Sequence, residues 1–316
     1  MSQSSPLITV VIANYNKAHY LEELLESLSH QTFKDFKVLF VDDCSTDDSC
    51  EIVKSFIKNR DLDLEIIKHE YNKGLGEARN TGLNICTTEF ITFIDSDDYL
   101  TVNSLQSLIS AQKKFSSDIV TGSIHIVDVN SNLLESFIHK NRNIRRAGKK
   151  YYLGGGCVSA WSRLYRTELF KKVVGNYPKG YYEDVIPYLK LISSNLVHYE
   201  ISDIVYCYRK DPSSISHKPL RLNDIDNYLR FANSFLSTKD FSIFLSRVIS
   251  WYHHNIDLDK LLLSYARVII SKNFIKSIFS TSLFVKLVLK LNEYPMYPRI
   301  FRRLYFFHLL YKQKNK

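Results

Sequence analysis

Four short apolar, β-rich runs set the frame of this chain: Ile8 to Ala13, Phe36 to Val41, Leu64 to Lys68 and Phe90 to Ile94. Between them the apolar residues fall at helical spacing, first at Leu21, Leu24, Leu25 and Leu28, then at Ile52, Val53, Phe56 and Ile57. A third, short helix is predicted over Gly76 to Asn84. The connections are short, so a β-α-β-α-β-α-β series of this kind builds a mostly parallel sheet with right-handed crossovers. The predicted class is α/β, a Rossmann-like sheet flanked by helices.

Ligands of such sheets bind beyond the carboxyl ends of the strands. Three polar phrases stand there: Asn14-Tyr15-Asn16, Asp42-Asp43 and Asp95-Ser96-Asp97. They should converge on one edge and form a nucleotide-diphosphate pocket. Tyr15 offers a flat ring for a base, and the carboxylates offer acceptors for base or ribose. Asp95 and Asp97 form a D-x-D pair whose side chains would point the same way in extended chain. Two hard oxygen donors of this kind suit Mg²⁺ or Mn²⁺ carrying waters or phosphate oxygens. Taken alone, D-x-D reads equally well as a solvated acidic turn.

Further on, Val102 to Phe115 reads as a helix, Asp118 to Asp128 as one or two strands, and residues 130–150 as a basic, solvated loop. Gly154-Gly155-Gly156 lacks the G-K-[ST] that would make it a phosphate loop. Glu183-Asp184 opens a helix carrying Ile186, Leu189, Leu191 and Ile192, where it can complement the helix dipole or supply a general base. Ile204 to Tyr208 reads as a strand ending at Arg209, before a Pro- and Ser-rich loop through Pro219. After about residue 220 the pattern is helical, giving a domain over 1–219 and a helical, basic region over 220–316. His253-His254 diverge on a helix and read as structural. In the last segment, Arg302, Arg303, Lys312, Lys314 and Lys316 interleave with Phe301, Tyr305, Phe306, Phe307 and Tyr311. That mixture suits an amphipathic helix on anionic lipid, or a packing face toward the first domain or another subunit in a homo-oligomer.

The excess of Lys+Arg, 42 against 33 Asp+Glu, points to an anionic partner, and no recognised nucleic-acid module accompanies it. Five cysteines without a C-x-x-C pair fit reduced thiols. The polar Met1 to Pro6 and the short apolar run after it predict no leader peptide and a cytoplasmic protein, peripheral on the inner face of the cell membrane.

Five phrases in order carry a resemblance: Ile8 to Asn16, Val41-Asp42-Asp43-Cys44-Ser45-Thr46-Asp47, Asn72-Lys73-Gly74-Leu75-Gly76-Glu77-Ala78-Arg79-Asn80-Thr81-Gly82, Phe93 to Asp98, and Tyr182-Glu183-Asp184. Over roughly its first two thirds the chain resembles bacterial family 2 glycosyltransferases of GT-A fold. The resemblance implies an inverting, metal-dependent transfer of sugar from a UDP-sugar to an acceptor hydroxyl. Tyr15 would stack on uracil and Asp42, or Asp43, would bond its edge. Arg79 would lie near the nucleotide or brace the aspartates. Ala13, Asn16, Ser45, Asn72, Gly74 and Ser96 complete the expected nucleotide contacts by their place in these motifs. Asp97 would hold a divalent cation, Mn²⁺ or Mg²⁺, with Asp95 supporting ribose or metal and His217 completing the ligand set, while Arg209 and the loop Ser213 to His217 would close over the pyrophosphate. Asp184, or Glu183, would be the base. Trp161 to Arg166 resembles a further family stretch, with Arg163 where lysine is frequent. The absent Q-x-x-R-W phrase implies single transfer rather than polymerisation. The expected acceptor is a carbohydrate, a lipid-linked oligosaccharide of surface polysaccharide synthesis, or alternatively a teichoic acid. Rival readings are a nucleotidyltransferase, which would want a Gly-rich loop after the first strand, and a catalytically silent scaffold.

Overall fold

The computed structural model of the chain describes residues 5–144, 159–180, 183–212, 214, 222–237, 240–241, 243–245 and 248. They fall into two compact units, the first within 5–214 and the second from 222 onward.

The first unit begins with β1 (Ile8–Asn14), α1 (Ala18–Ser29), β2 (Phe36–Asp42), α2 (Ser49–Asn59), β3 (Leu64–Lys68), α3 (Leu75–Ile85) and β4 (Phe90–Asp95). These are the alternating elements expected from the sequence. β1 pairs in parallel with β2 on one side and β4 on the other, and β3 adds to β2. Every residue of β1 is buried. A central parallel strand covered on both faces needs an unbroken apolar run, and each fully buried Val or Ile there contributes about 1.5–3 kcal/mol. α3 lies so close over β1 that a Cβ on Gly82 would stand 2.4 Å from Val11 Cγ1, which is why a glycine sits in mid-helix.

The rest of the unit turns the sheet mixed. β5 (Tyr99–Leu100), α4 (Ser104–Phe115), β6 (Ile119–Val127), β7 (Leu133–Phe137), β8 (Arg142–Asn143), β9 (Arg163–Arg166), α5 (Thr167–Val174), α6 (Val185–Ser193) and β10 (His198–Arg209) follow. The sheet order is β3-β2-β1-β4-β9-β6-β10-β5, with β7 added to β6 and β8 to β10. β9 runs antiparallel between β4 and β6, so it joins the parallel half to the second half. Residues 130–150 are thus not one solvated loop: β7 and β8 lie within them. All five residues of β7 are exposed, so its apolar members gave no buried pattern to read. β10 extends well beyond the expected Ile204 to Tyr208.

In the second unit, α7 (Leu222–Phe235) carries an Arg230–Asp226 ion pair at i,i+4 and a Phe231–Phe235 edge contact. Leu229, Ala232, Leu236, Phe241, Phe244, Leu245 and Val248 are buried apolar residues among those described there. The basic aromatic segment Arg299 to Lys316, His253-His254 and the Gly154 to Gly156 run lie outside the described residues. Among the described residues no helix is long and apolar enough to cross a membrane.

Candidate active site

The parallel register brings Asn14 beside Asp42 and Ala13 beside Asp95, so the three polar strand ends meet at one edge. The loops beyond them are tied by short polar side chains. Asn14 Nδ2 donates to Asp42 Oδ1 and to Ser45 Oγ, both at 3.0 Å. Ser45 N–H donates to Asp42 Oδ2, and Ser45 Oγ accepts the Asn16 N–H at 3.0 Å. Asn16 takes a left-handed φ of 53°, open to Asn at modest strain, and its Oδ1 accepts the Thr46 N–H. Tyr15, between these anchors, is 46% exposed.

Asp42 and Asp43 are both buried and turned inward. Asp43 Oδ1 lies 2.7 Å from His69 Nδ1 and accepts the Lys73 N–H, while Oδ2 accepts the Gly74 N–H at 2.7 Å. His69 Nε2 in turn sits 2.8 Å from Thr81 Oγ1. Asp43 is thereby a clamp on the Asn72–Gly74 loop that starts α3. Asp42, the expected contact of a base edge, is buried and already accepts one hydrogen bond on each oxygen, from Asn14 and from Ser45. The Ala13 side chain packs with Val41 and Ala78 in the core, leaving only backbone to a ligand. Asn72 is exposed, Gly74 half-buried and Ser96 buried.

The centre of the edge is Arg79. Only 2% exposed, its guanidinium bonds Asp95 Oδ1 at 2.6 Å through one nitrogen and Glu183 Oε1 through another. Burial works against its charge, but the Asp95 and Glu183 carboxylates outweigh that and hold its pKa well above the usual value. Gly76, one turn earlier on α3, is what lets Glu183 close in, since a Cβ there would meet Pro178 O at 2.7 Å and the Glu183 side chain at 3.4 Å. Asp184 follows as the N-cap residue of α6, yet its side chain makes no capping bond. Burial of its carboxyl, then the adjacent Glu183 charge, push its pKa up to about 7 against the opposing pull of Arg79, although the residue keeps part of its surface open. A carboxylate that is neither spent on a cap nor fixed in the ionised state can take up a proton near neutral pH.

The chain does not stay extended through the D-x-D pair. It turns after Asp95, with the Asp98 N–H bonded to Asp95 O at 3.1 Å. Asp95 therefore goes to Arg79 while Asp97 Oδ2 meets Lys17 Nζ at 2.8 Å. The two do not share one point as extended chain would have them do. Asp98 is the buried member of the turn: it accepts from Tyr206 OH at 2.7 Å and from Arg209 N–H at 2.7 Å. Its burial, with Asp97 and Asp95 close by, raises its pKa well above the ordinary carboxylate range. Arg209 is spent inside the protein, giving hydrogen bonds to Asp97 O, Asp128 O, Val129 O, Ser131 Oγ and Glu23 Oε2. It braces the turn rather than closing over a pyrophosphate. Arg163 is likewise buried, bonded to Thr121 Oγ1 and the Ser159 and Trp161 carbonyls, with its guanidinium carbon 4.3 Å from the Tyr188 ring centre. His217 and Tyr182 lie outside the described residues.

A model of the glycosyl transferase family 2 matches residues 9–174. The chain belongs to that family. Among family 2 relatives, Glycosyltransferase GlyA of Streptococcus pneumoniae is 30% identical over 228 residues, 66% of this chain and 31% of GlyA. The Escherichia coli UDP-Glc:alpha-D-GlcNAc-diphosphoundecaprenol beta-1,3-glucosyltransferase WfgD is 32% identical over 125 residues, 40% of this chain and 48% of WfgD. This chain thus spans less than half the length of either relative. The crystal structure of Staphylococcus aureus TarS 1-349 in complex with UDP-GlcNAc shares the fold, with a TM-score of 0.69 and 24% identity over 88% of this chain and 80% of that one.

Family 2 members commonly use a divalent cation. Among the described residues no three His, Cys, Asp or Glu side chains converge to cage one. Asp97 nevertheless fits: it is a hard oxygen donor with part of its surface open, and an ammonium already stands against it. Lys17, Asp98 and Glu23 carry the support of this turn, and the sequence reading gave none of them a role. A lysine before a helix makes no pattern, and only the fold brings it to residue 97.

Proposed function

We propose that this glycosyltransferase moves a sugar from a UDP-sugar to an acceptor hydroxyl with inversion at the anomeric carbon. One observation carries the reading: Arg79 joins the strand-end carboxylate Asp95 to Glu183, so the Glu183-Asp184 pair is drawn to the edge where Tyr15 and the Asp97 turn lie. Tyr15 receives the base on its open ring, and the Asn72–Gly74 loop, clamped by Asp43, lines the nucleotide. Asp184 takes the proton from the acceptor hydroxyl. As the hydroxyl oxygen attacks the anomeric carbon, the bond to the diphosphate oxygen breaks and UDP leaves with the electron pair. Inversion needs one base and no covalent nucleophile. A divalent cation would be held by Asp97 and would supply neutralisation of the charge developing on the leaving diphosphate.

The acceptor we favour is a lipid-linked oligosaccharide of surface polysaccharide synthesis. WfgD, whose name specifies a sugar on diphosphoundecaprenol, supports that choice. So does the apolar exposure of Leu133, Leu134, Phe137 and Ile138, next to the turn that Arg209 ties to Asp97. The enzyme would then work at the cytoplasmic membrane face. Screening UDP-sugars for transfer and slow hydrolysis with Mn²⁺, for the native chain and Asp184→Asn, tests the reading. Asp184→Asn should lose about a thousandfold in transfer while calorimetry still records UDP binding. Full activity in that variant would remove Asp184 as the base, and a non-UDP donor winning the screen would overturn the uracil assignment.

A further inference from the structure

Lys17 has no evident reason to stand where it does. It is the N-cap residue of α1 without a side-chain cap, and a cation there works against the helix macrodipole. The Ala18 N–H of that first turn is capped instead by Asp47 Oδ2 at 2.9 Å. The backbone that launches Lys17 is fixed by the two Asn16 bonds across to Ser45 and Thr46. The side chain passes Tyr20, with Nζ 5.7 Å from the ring centre, and ends on Asp97 Oδ2 at 2.8 Å. Tyr20 is itself pinned by its bond to Asp211 Oδ2, and the Arg209 guanidinium lies 4.6 Å from its ring. Lys17 is thus held against one carboxylate of the D-S-D-D turn, Asp97, as Arg79 is held against another, Asp95.

We infer that Lys17 is a tethered counter-ion that makes cation binding at Asp97 depend on the nucleotide. The inference rests on the assignment of Asp97 to the cation. Without nucleotide, a divalent ion gains one carboxylate and must displace an ammonium already paired with it. A nucleoside diphosphate changes the balance, because its phosphate oxygens add ligands for the ion and give the displaced ammonium a new anionic partner. Cation and nucleotide then bind with positive coupling, and linkage makes the effect reciprocal.

Binding rather than turnover tests this. Free Mn²⁺ is followed by electron paramagnetic resonance, with and without UDP, for the full chain and for Lys17→Met, Lys17→Arg, Asp97→Asn and Lys68→Met. Lys68, 3.9 Å from Asp42, controls for loss of a positive charge elsewhere on the same edge. Lys17→Met should bind Mn²⁺ alone about tenfold more tightly and lose most of the Mn²⁺–UDP coupling, while Lys17→Arg keeps both near native values. Unchanged Mn²⁺ affinity in Lys17→Met, or an equal gain in Lys68→Met, would overturn the inference. If Asp97→Asn weakens Mn²⁺ binding with UDP but Lys17→Met has no effect, only the role of Lys17 falls. If Asp97→Asn has no effect either, the cation does not use Asp97 and both readings fall.

Discussion

Two buried arginines hold the D-S-D-D turn, and they do so in different ways. Arg79 bonds carboxylates, Asp95 and Glu183, that come from two distant stretches of chain. The Arg209 guanidinium gives most of its hydrogen bonds to backbone oxygens at 97, 128 and 129, and the carboxylate it meets, Glu23, is partly in solvent. The first sets the charge of the edge and the second sets its shape. A guanidinium serves both ends because its planar fork has donors enough for several acceptors at once.

If that division holds, the two should break differently. Arg79→Met leaves two carboxylates without a partner, one of them buried, and should cost about 3–5 kcal/mol in urea unfolding and remove detectable transfer. Adding Glu183→Gln to it should restore part of the stability and none of the activity, which separates charge from packing. Arg209→Met should cost about 2–3 kcal/mol, since the freed carbonyls near the exposed Val129 can meet water, and should weaken UDP binding less than Arg79→Met does. The pH dependence of kcat/KM sharpens the comparison further. Asp184 must be ionised to accept a proton, so the rate rises as pH passes upward through about 7. Removing the Glu183 charge lowers that pKa, so Glu183→Gln should move the limb about one unit toward acid, whereas Arg209→Met should leave it in place. Smallest of all, Glu23→Gln should change stability by about 0–1 kcal/mol, as its carboxylate is part-exposed. A larger loss there would mean that Arg209 depends on charge after all.

The pH effect also has a stability side. The folded Asp184 carboxyl holds its proton far above the value of a free aspartate, so its contribution to stability is present in acid and is lost as pH rises through about 7. Transfer therefore becomes fastest where this one group favours the fold least.

Continuous apolar runs made β1, β2 and β4 legible, because strands buried on both faces leave no alternation to misread, while the part-exposed β3 showed through Leu64, Ile66 and Ile67. β7 was not, since Leu133 and Leu134 on an exposed edge look like loop, and β9 hid its four residues inside the Trp161 to Arg166 phrase. In the site, residue types told where carboxylates gather but not how they turn. Asp95 and Asp97 look equivalent as D-x-D and become different once one hydrogen bond, Asp98 N–H to Asp95 O, bends the chain between them. Asp42 and Asp43 look alike in sequence and are bonded inward, to Asn14, Ser45 and His69, partners that lie up to 28 residues away.

Those distances matter on the ribosome. Arg79 waits for Glu183, 104 residues later, and Asp98 for Tyr206 and Arg209, 108 and 111 residues later. A nascent chain that has made its four parallel strands still carries a guanidinium and a carboxyl whose partners have not been synthesised. Chains truncated before residue 209 should therefore collapse without locking, lean on chaperones and precipitate, and hydrogen exchange of α3 should fall into line only when β10 is in place.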